Sequence, residues 1–268
     1  MPASQLNRLL ITGAAGALGR VLRQKLKPDA TVMRLSDRVP LGGAAAAEEL
    51  VVCDLADKQA VEDLLKNVDA VVHLGGISVE GPWEPILQSN IIGMYNLYES
   101  ARKNDVKRVI FASSNHAVGF YRQDQTIDAT APQRPDGYYG LSKCFGEDLS
   151  RFYFDRYGIE TVCMRIGSSF PEPQDRRMLI TWLSYDDLAQ LVRRALFTPK
   201  VGHTIVFATS DNRDSFWDNS KAAHLDWKPK DSAEPFRAKL EAAPPLPAAD
   251  ALMIYQGGRY TTAGPYEN

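Results

Sequence analysis

The sequence predicts an α/β protein built on a doubly wound parallel sheet, and three observations support this fold class. Short apolar runs typical of strands alternate with helical patterns along most of the 268 residues. Several of these runs are apolar at every position, as parallel strands covered on both faces require. A glycine-rich turn at residues 13–19 connects the first run to the first helical pattern, as in many folds of this class.

The predicted elements follow one another in strand–helix order. Strands are expected at residues 8–12, 31–35, 50–52, 70–73, 108–112, 161–166 and 204–208. Helices are expected at residues 18–27, 58–65, 84–104, 139–157 and 185–197. Pro85 suits the first turn of one helix, and Ser184 with Asp187 three residues later resembles a capping box. The alternation is lost from about residue 211, and a Pro/Ala-rich stretch follows at 242–251.

The composition argues against several classes of protein. Apolar residues make up 44% and charged residues 24%, and the net charge of −2 mixes both signs along the chain, unlike the basic surface of a nucleic-acid binder. No run approaches the ~18 consecutive apolar residues of a membrane helix, and no signal peptide is expected. Cys53, Cys144 and Cys163 have no metal-ligand spacing, so we expect reduced, buried thiols and no metal. These features predict a cytoplasmic protein without nucleic-acid or membrane partners.

The glycine-rich turn has the chemistry of a dinucleotide loop. Gly13 permits the tight strand-to-helix turn, Gly16 lets backbone N–H groups approach a pyrophosphate, and Gly19 lets the helix pack closely on the sheet. Ala17 and Leu18 open the helix, whose N-terminus faces the anion. A strand before the turn and a helix after it are the context that this motif requires. We therefore expect NAD or NADP to bind here.

Asp37 closes the second predicted strand, where a carboxylate can accept hydrogen bonds from both hydroxyls of the adenosine ribose. The same charge repels a 2′-phosphate, so we predict NAD rather than NADP. Arg38 complicates this choice because arginine can accommodate that phosphate. The alternative role of Asp37 is that of an ordinary turn residue.

Two further loops follow strand ends, where ligands of open α/β sheets bind. The first follows the third strand, where Asp54 can accept from the adenine amino group. The second follows the fourth strand, where glycines let a cofactor lie against the backbone. The cofactor residues predicted in these loops are Asp54, Leu55, Leu74, Gly75 and Gly76.

Tyr139 and Lys143 are spaced four residues apart, which places both on one face of a helix. A phenol with a pKa of about 10 is a poor base, but a neighbouring ammonium group and a nicotinium ring can lower that pKa. The YxxxK pattern alone is common on helix surfaces. Its context is more specific, because Ser113 and Ser114 end the fifth strand and a serine hydroxyl there can hold a reacting oxygen. The order of glycine loop, strand-end acid, serine and YxxxK indicates a dehydrogenase.

The segments TGAAGALG, CDLAD, HLGGIS, FASSNH and YGLSK together resemble the extended short-chain dehydrogenase/reductase family, over roughly residues 8–170. The resemblance implies a Rossmann fold and makes Ser114, Tyr139 and Lys143 the catalytic residues. It places Asn90 in a water-linked proton relay through the lysine and Ile166 beside the cofactor. Two long helices pair subunits in many members, so it also implies a homo-oligomer. We divide the single domain of residues 1–268 into an NAD-binding core of about 1–165 and a small substrate-capping region of about 166–268.

Longer segments are similar to the bacterial branch of this family that oxidises hexuronic acids. These segments are HLGGISVE, QSNIIGMYNLYE, FASSNHAVGFY, RPDGYYGLSKCFGE, RIGSSFPEPQDRRML, WDNS and WKPKD. The similarity implies oxidation of galacturonate or glucuronate at C1 to an aldarolactone, with formation of NADH. It assigns the C6 carboxylate to Arg177, with Arg176 as the competing residue. The substrate-binding residues that follow are Ser78, Ser114, Asn115, His116, Tyr139, Ser168 and Arg177.

Two other functions fit the same motifs. A sugar-nucleotide epimerase or dehydratase uses the same loop and catalytic residues, although only about a hundred residues remain here to hold a nucleotide sugar. A non-catalytic regulator that senses NAD(H) could keep the fold without the chemistry. The retention of Tyr139, Lys143 and a serine at the matching distance favours the enzyme.

Overall fold

The computed structural model describes residues 5–242, 244, 246–247 and 249–266. Its strands are β1 (Leu6–Thr12), β2 (Ala30–Asp37), β3 (Glu48–Val52), β4 (Ala70–His73), β5 (Arg108–Ser114), β6 (Ile127–Asp128), β7 (Glu160–Ile166), β8 (His203–Ala208) and β9 (Trp217–Asp218). Its α-helices are α1 (Ala17–Lys25), α2 (Lys58–Leu64), α3 (Trp83–Ile86), α4 (Gly93–Lys103), α5 (Tyr138–Tyr157), α6 (Met178–Thr181), α7 (Tyr185–Phe197), α8 (Arg237–Glu241) and α9 (Ala251–Ile254). Short 3₁₀ helices cover Lys27–Asp29, Asn115–Val118, Ser220–Leu225, Glu234–Phe236 and Gly258–Thr262.

Seven strands form one parallel sheet in the order β3-β2-β1-β4-β5-β7-β8. The chain adds β2 and β3 on one side of β1 and then returns to add β4, β5, β7 and β8 on the other. This reversal leaves a crevice at the carboxyl ends of β1 and β4, which is where ligands bind in open parallel sheets. The predicted Rossmann-type fold is therefore confirmed, and every predicted strand is present with its ends within two residues.

Both faces of the sheet are covered by helices, because successive side chains of a strand point to opposite faces. Leu9 and Ile11 of β1 belong to the core under α1 and α7, whereas Leu10 belongs to the core under α2, α4 and α5. All three side chains are fully buried. Burial of each contributes ~1.5–3 kcal/mol. The continuous apolar runs noted in the sequence are thus explained by two cores that share one sheet.

The long helix predicted at 84–104 is not uniform. It begins as α3, passes through a π-helical segment at Leu87–Ile92 and continues as α4. A π-helical segment holds an extra residue per turn and changes the direction of the side chains on it. Asn90 lies in this segment and is buried, with its amide hydrogen-bonded to the backbone of Ile77. Pro85 lies in the first turn, as expected.

The capping box predicted at α7 is only half formed. The Ser184 hydroxyl accepts a hydrogen bond from the Asp187 N–H at 3.0 Å, but the Asp187 carboxylate does not return to Ser184. It accepts instead from the Ser210 hydroxyl and from the backbone N–H groups of Lys230 and Asp231. The Asp187 carboxylate therefore connects α7 to the region after β8.

The C-terminal part of the chain packs beside the sheet instead of extending it. Strands β6 and β9 form a separate parallel pair. In the tail, Gln256 is fully buried and accepts from the Trp217 indole of β9, and the following residues Gly257 and Tyr260 line the crevice. Cys53, Cys144 and Cys163 are buried free thiols, as predicted. Within the described ranges, no helix is long and apolar enough to cross a membrane.

Candidate active site

One large cleft, with a volume of about 1250 Å³, opens at the carboxyl ends of β1, β4, β5 and β7. Almost all of the residues predicted from sequence to contact a ligand line it. From the predicted cofactor set, these are Gly13, Gly16, Ala17, Leu18, Gly19, Asp37, Asp54, Leu55, Leu74, Gly75, Gly76, Tyr139, Lys143 and Ile166. From the predicted substrate set, they are Ser78, Ser114, His116, Tyr139, Ser168 and Arg177. Asn90 and Asn115 do not line the cleft.

The glycine loop needs its glycines for close approach. Gly13 has a φ of 70°, and a Cβ on it would lie 2.7 Å from the backbone nitrogen of Gly75. A Cβ on Gly19 would lie 2.2 Å from the carbonyl oxygen of Gly13. Helix α1 begins at this loop with neither a side-chain cap nor an acidic residue in its first turn. Its N-terminal N–H groups therefore remain available for an anion.

Asp37 ends β2 and faces the same cleft. One of its oxygens accepts from the backbone N–H of Ala15 at 3.0 Å, so the carboxylate also braces the glycine loop. Arg38 is exposed and lines the cleft beside it. Asp54 accepts from the Ala56 N–H at 2.9 Å in a tight turn at the cleft wall. The loop of glycines and alanines, the uncapped helix end and the two acids fit a dinucleotide with its ribose at Asp37.

Ser114, Tyr139 and Lys143 meet at the centre of the cleft. The Lys143 Nζ donates to the carbonyl oxygen of Ala112 at 2.8 Å and lies 5.4 Å from the centre of the Tyr139 ring. The Ser114 hydroxyl accepts from the backbone N–H of His116 at 3.2 Å, which orients it at the end of β5. The sequence-based prediction that these side chains share one site is therefore consistent with the fold.

Burial dominates the titration of this pair. It raises the pKa of Tyr139 well above its ordinary value, and the Ser114 hydroxyl only partly opposes this effect. It lowers the pKa of Lys143 to about 8, against the opposing charge of Glu147. The prediction that Lys143, together with a bound nicotinium ring, lowers the pKa of Tyr139 stays a prediction, because in the polypeptide alone burial is the main influence on that pKa.

Helix α5 is held in place by carboxylates that the sequence analysis did not single out. Glu80 accepts from the backbone N–H groups of Tyr138 and Tyr139 at 2.9 and 2.8 Å and thereby caps the start of α5. Further along, Glu147 forms a buried ion pair with Arg165 of β7, with an N–O distance of 2.8 Å. Because Glu147 also accepts from the Ser113 hydroxyl of β5, these contacts fix α5 against β5 and β7.

The two predicted residues outside the cleft support residues within it. Asn90 donates to the Ser142 hydroxyl at 2.9 Å, and Ser142 in turn donates to the carbonyl oxygen of Tyr139. Asn115 is buried, and in the amide orientation that satisfies both of its polar atoms it accepts from Arg177 at 2.8 Å. The direct substrate contact predicted for Asn115 stays a prediction, and in this structure its amide contacts Arg177 instead. The cofactor contact predicted for Asn90 likewise stays a prediction, and its amide is hydrogen-bonded to Ile77 and Ser142.

Arg177 lines the cleft on the side away from the glycine loop. Its Nε donates to the carbonyl oxygen of Gln256 at 3.0 Å, and its Nη1 donates to the Ser168 hydroxyl at 3.4 Å. Burial lowers the pKa of the guanidinium group from its ordinary value. Arg176 also reaches the cleft, but its Nη2 donates to the carbonyl oxygen of Glu241. Three parts of the chain therefore hold the Arg177 side chain, namely Gln256, Ser168 and Asn115.

Three residues that the sequence analysis missed complete this end of the cleft. Tyr260 stacks on His116 with ring centres 4.0 Å apart, and an Asp136 carboxylate oxygen lies 2.7 Å from the Nδ1 of that histidine. Gln256 holds Arg177 through its backbone. Only Asp136 had a local signal, because it lies three residues before Tyr139. Tyr260 and Gln256 lie in a tail whose sequence has no periodic pattern. Among the described residues, no cluster of side chains could hold a metal ion.

Most of the chain matches one known protein family. The profile of the NAD dependent epimerase/dehydratase family matches residues 9–185, which include the glycine loop and the YxxxK pair. The chain belongs to this family. The family resemblance noted in the sequence is therefore confirmed.

Several proteins of this family are similar to the chain over almost its whole length. A uronate dehydrogenase from Pseudomonas putida is 62% identical over 99% of this chain and 100% of its own length. A structure of a glucuronic acid dehydrogenase from Chromohalobacter salexigens is 54% identical, covers 97% of this chain and 98% of its own, and has a TM-score of 0.96. A mutant uronate dehydrogenase from Agrobacterium tumefaciens, complexed with NAD, is 50% identical, covers 98% of this chain and 100% of its own, and has the same TM-score.

Proposed function

We propose that this protein is an NAD-dependent dehydrogenase that oxidises hexuronic acids at C1 to the aldarolactone. The observation that carries the proposal is the position of Arg177, a fixed guanidinium group that shares one cleft with Ser114, Tyr139 and Lys143. A guanidinium fork suits a carboxylate, which is the group that distinguishes a uronate from a neutral sugar. The relatives named uronate dehydrogenase and glucuronic acid dehydrogenase support the same substrate class.

The residues of the chain have separate roles in this reaction. The Ser114 hydroxyl holds the C1 hydroxyl of the sugar, and the Tyr139 phenolate removes its proton. Lys143 supplies a positive charge near the phenolate and binds the nicotinamide ribose. Arg177 holds the C6 carboxylate, so that C1 is directed to the catalytic residues. NAD held by the glycine loop would supply the hydride acceptor for C1, and its positively charged nicotinium ring would favour the phenolate.

The cofactor roles rest on the geometry of the loop. The residues proposed to hold NAD are those of the glycine loop with Asp37, Asp54 and the Leu74–Gly76 turn. Asn90 acts from behind Ser142 in this scheme, as a support of the helix backbone at Tyr139. We also propose a cytoplasmic homo-oligomer, since the reaction draws on NAD and since α4 and α5 pair subunits in many members of the family.

The direct test is an assay of purified protein with galacturonate or glucuronate, run in parallel with NAD and with NADP. Absorbance of NADH should rise with both uronates and remain flat with galactose and glucose, which lack the carboxylate. An epimerase or dehydratase would retain NAD and produce no net NADH. A regulator would bind NAD without turnover. A flat trace with both uronates at saturating NAD would refute the proposed dehydrogenase.

A further inference from the structure

Asp136 is buried directly behind the histidine that lines the substrate end of the cleft. One carboxylate oxygen lies 2.7 Å from the Nδ1 of His116, and the Asp136 side chain is completely shielded from solvent in this pair. The other oxygen, Oδ1, is buried and has no hydrogen-bond partner in the part of the chain that the structure describes. Burying a carboxylate in this way is costly unless it serves a specific partner.

The chain makes room for this carboxylate with three glycines from separate segments. A Cβ on Gly119 would lie 1.9 Å from the Oδ2 of Asp136, and a Cβ on Gly257 would lie 1.7 Å from the same atom. A Cβ on Gly140 would lie 3.0 Å from Oδ1. No larger residue fits at the first two positions without displacing the carboxylate. Three segments therefore surround the Asp136 carboxylate: the loop after β5, the C-terminal tail and helix α5.

The imidazole ring of His116 is fixed in two further directions. The Tyr260 ring stacks on it, with centres 4.0 Å apart and planes 14° apart. The Tyr139 ring meets it edge-on, with centres 5.8 Å apart. The plane of the imidazole is set by Tyr260, and its rotation in that plane is set by Asp136. Nε2 has no hydrogen-bond partner among the described residues, while the ring itself lines the cleft.

We propose that Asp136 is a positioning residue that acts through His116 and makes its Nε2 an acceptor for a sugar hydroxyl. A carboxylate accepts the proton on Nδ1, so the neutral ring carries its hydrogen there and leaves a lone pair on Nε2. Such a nitrogen binds a hydroxyl that donates, and it rejects a substrate that lacks a hydroxyl at that position. This inference rests on the proposed function, since it assigns the contact to the uronate.

The first test uses kinetics. Asp136→Asn keeps the size of the side chain but removes the charge that selects the tautomer. We expect KM for uronates to rise about 10- to 100-fold, because a buried polar group is left without its proper partner, with KM for NAD within about twofold. Asp148→Asn, which removes the same charge from the exposed side of α5, serves as the matched control and should leave both values unchanged.

A double-mutant cycle separates action through His116 from a general structural role. In the His116→Gln background, Asp136→Asn should have no further effect on kcat/KM for the uronate, because its target is already absent. Additive losses, or an equal rise of KM for NAD, would overturn the proposal. If Asp136→Asn does not fold, nitrogen NMR of the wild-type protein decides the matter.

In that experiment the signals of His116 are assigned by their loss in His116→Gln. We expect a protonated Nδ1 and an unprotonated Nε2. The opposite tautomer would refute the role of Asp136 even if the uronate assay succeeds. Conversely, wild-type protein that does not oxidise uronates would contradict the proposed function while leaving the tautomer result intact, so the two failures are distinguishable.

Discussion

Arg177 donates through its Nε to the backbone carbonyl oxygen of Gln256 at 3.0 Å, although the two residues are 79 positions apart in the chain. The Gln256 side chain is itself fixed, because it accepts from the Trp217 indole N–H at 2.8 Å and donates to the backbone of Arg122 at 3.0 Å. The C-terminal tail therefore sets the direction of the guanidinium fork. The proposed site for the substrate carboxylate therefore depends on the packing of the tail against β9.

This contact makes Arg177 the first residue to test. Arg177→Ala should raise KM for uronates about 10- to 150-fold, the equivalent of ~1.5–3 kcal/mol for a charge-assisted hydrogen bond, with little change in kcat. Arg176→Ala is the matched control, because that side chain donates to the carbonyl of Glu241. Steady-state kinetics on both variants provide the measurement. A larger effect at Arg176 would move the carboxylate site to that residue.

Tyr139 is expected to be indispensable for chemistry and dispensable for binding. Tyr139→Phe removes the hydroxyl but keeps the ring that meets His116 edge-on. The variant should lose about 10²–10⁴-fold in kcat, which is the usual contribution of a positioned acid or base, and should still bind NAD. Turnover is compared with NAD titrations followed by calorimetry. Normal turnover would rule out Tyr139 as the base.

Lys143 should make stability depend on pH in a defined window. Its pKa is about 8 in the folded protein and 10.5 in the reference state, so between these values the unfolded chain binds the extra proton. Stability attributable to this residue therefore rises with pH from 8 to 10.5. Lys143→Met should be more stable than wild type at pH 7, and this advantage should shrink by about 3 kcal/mol at pH 10.5.

Urea unfolding at pH 7, 9 and 10.5 measures this dependence. Lys107→Met, which replaces an exposed lysine, provides the control and should show no comparable trend. A constant difference between Lys143→Met and wild type across the window would mean that burial does not depress the pKa of Lys143.

Asp37 should determine the choice of cofactor. Asp37→Ser removes the charge that repels a 2′-phosphate, and Arg38 at the same wall can then approach that phosphate. We expect the ratio of kcat/KM for NADP over NAD to rise about tenfold or more, since a hydrogen bond to a charged group is worth ~1.5–3 kcal/mol. Adding Arg38→Ala should reverse the gain for NADP. An unchanged ratio in Asp37→Ser would show that the ribose lies elsewhere.

Alanine substitutions at Gly13 and Gly42 can separate the cost of backbone strain from the cost of a steric clash. Both have a positive φ, 70° and 80°, but a Cβ on Gly13 would meet Gly75 at 2.7 Å, whereas nothing lies within 4 Å of a Cβ on Gly42. Gly42→Ala should cost only the strain of the left-handed conformation, ~1–2 kcal/mol. Gly13→Ala should cost about 1–3 kcal/mol more and should abolish NAD binding. Equal unfolding free energies in urea would contradict this account.

Much of the fold and part of the candidate site could be predicted from local sequence. The strands, the glycine loop, Asp37 at a strand end and the Tyr139–Lys143 pair are properties of short segments, since strand and helix periods and turn glycines act over a few residues. The parallel sheet then brings the ends of separate strands to one edge. This is why Ser114 could be expected beside Tyr139 although 25 positions separate them.

Other features depend on which distant segments meet. The sequence did not show that Asn115 would be turned behind Arg177, that a π-helical segment would divert Asn90 to Ser142, or that burial would raise the pKa of Tyr139. Desolvation depends on every atom packed around a group, and a hydrogen-bond partner depends on the whole chain path.

The sequence by itself determined the chemistry that is available: a dinucleotide loop, a phenol–ammonium pair and two candidate arginines. Only the tertiary structure decided that Arg177 is held in the cleft by Gln256 and that the His116 ring is held between Asp136 and Tyr260. It did so by placing Gln256 and Tyr260, from a tail without any periodic pattern, against Arg177 and His116. The physical reason is that contacts over such sequence distances follow from packing of the complete fold, which no local pattern records.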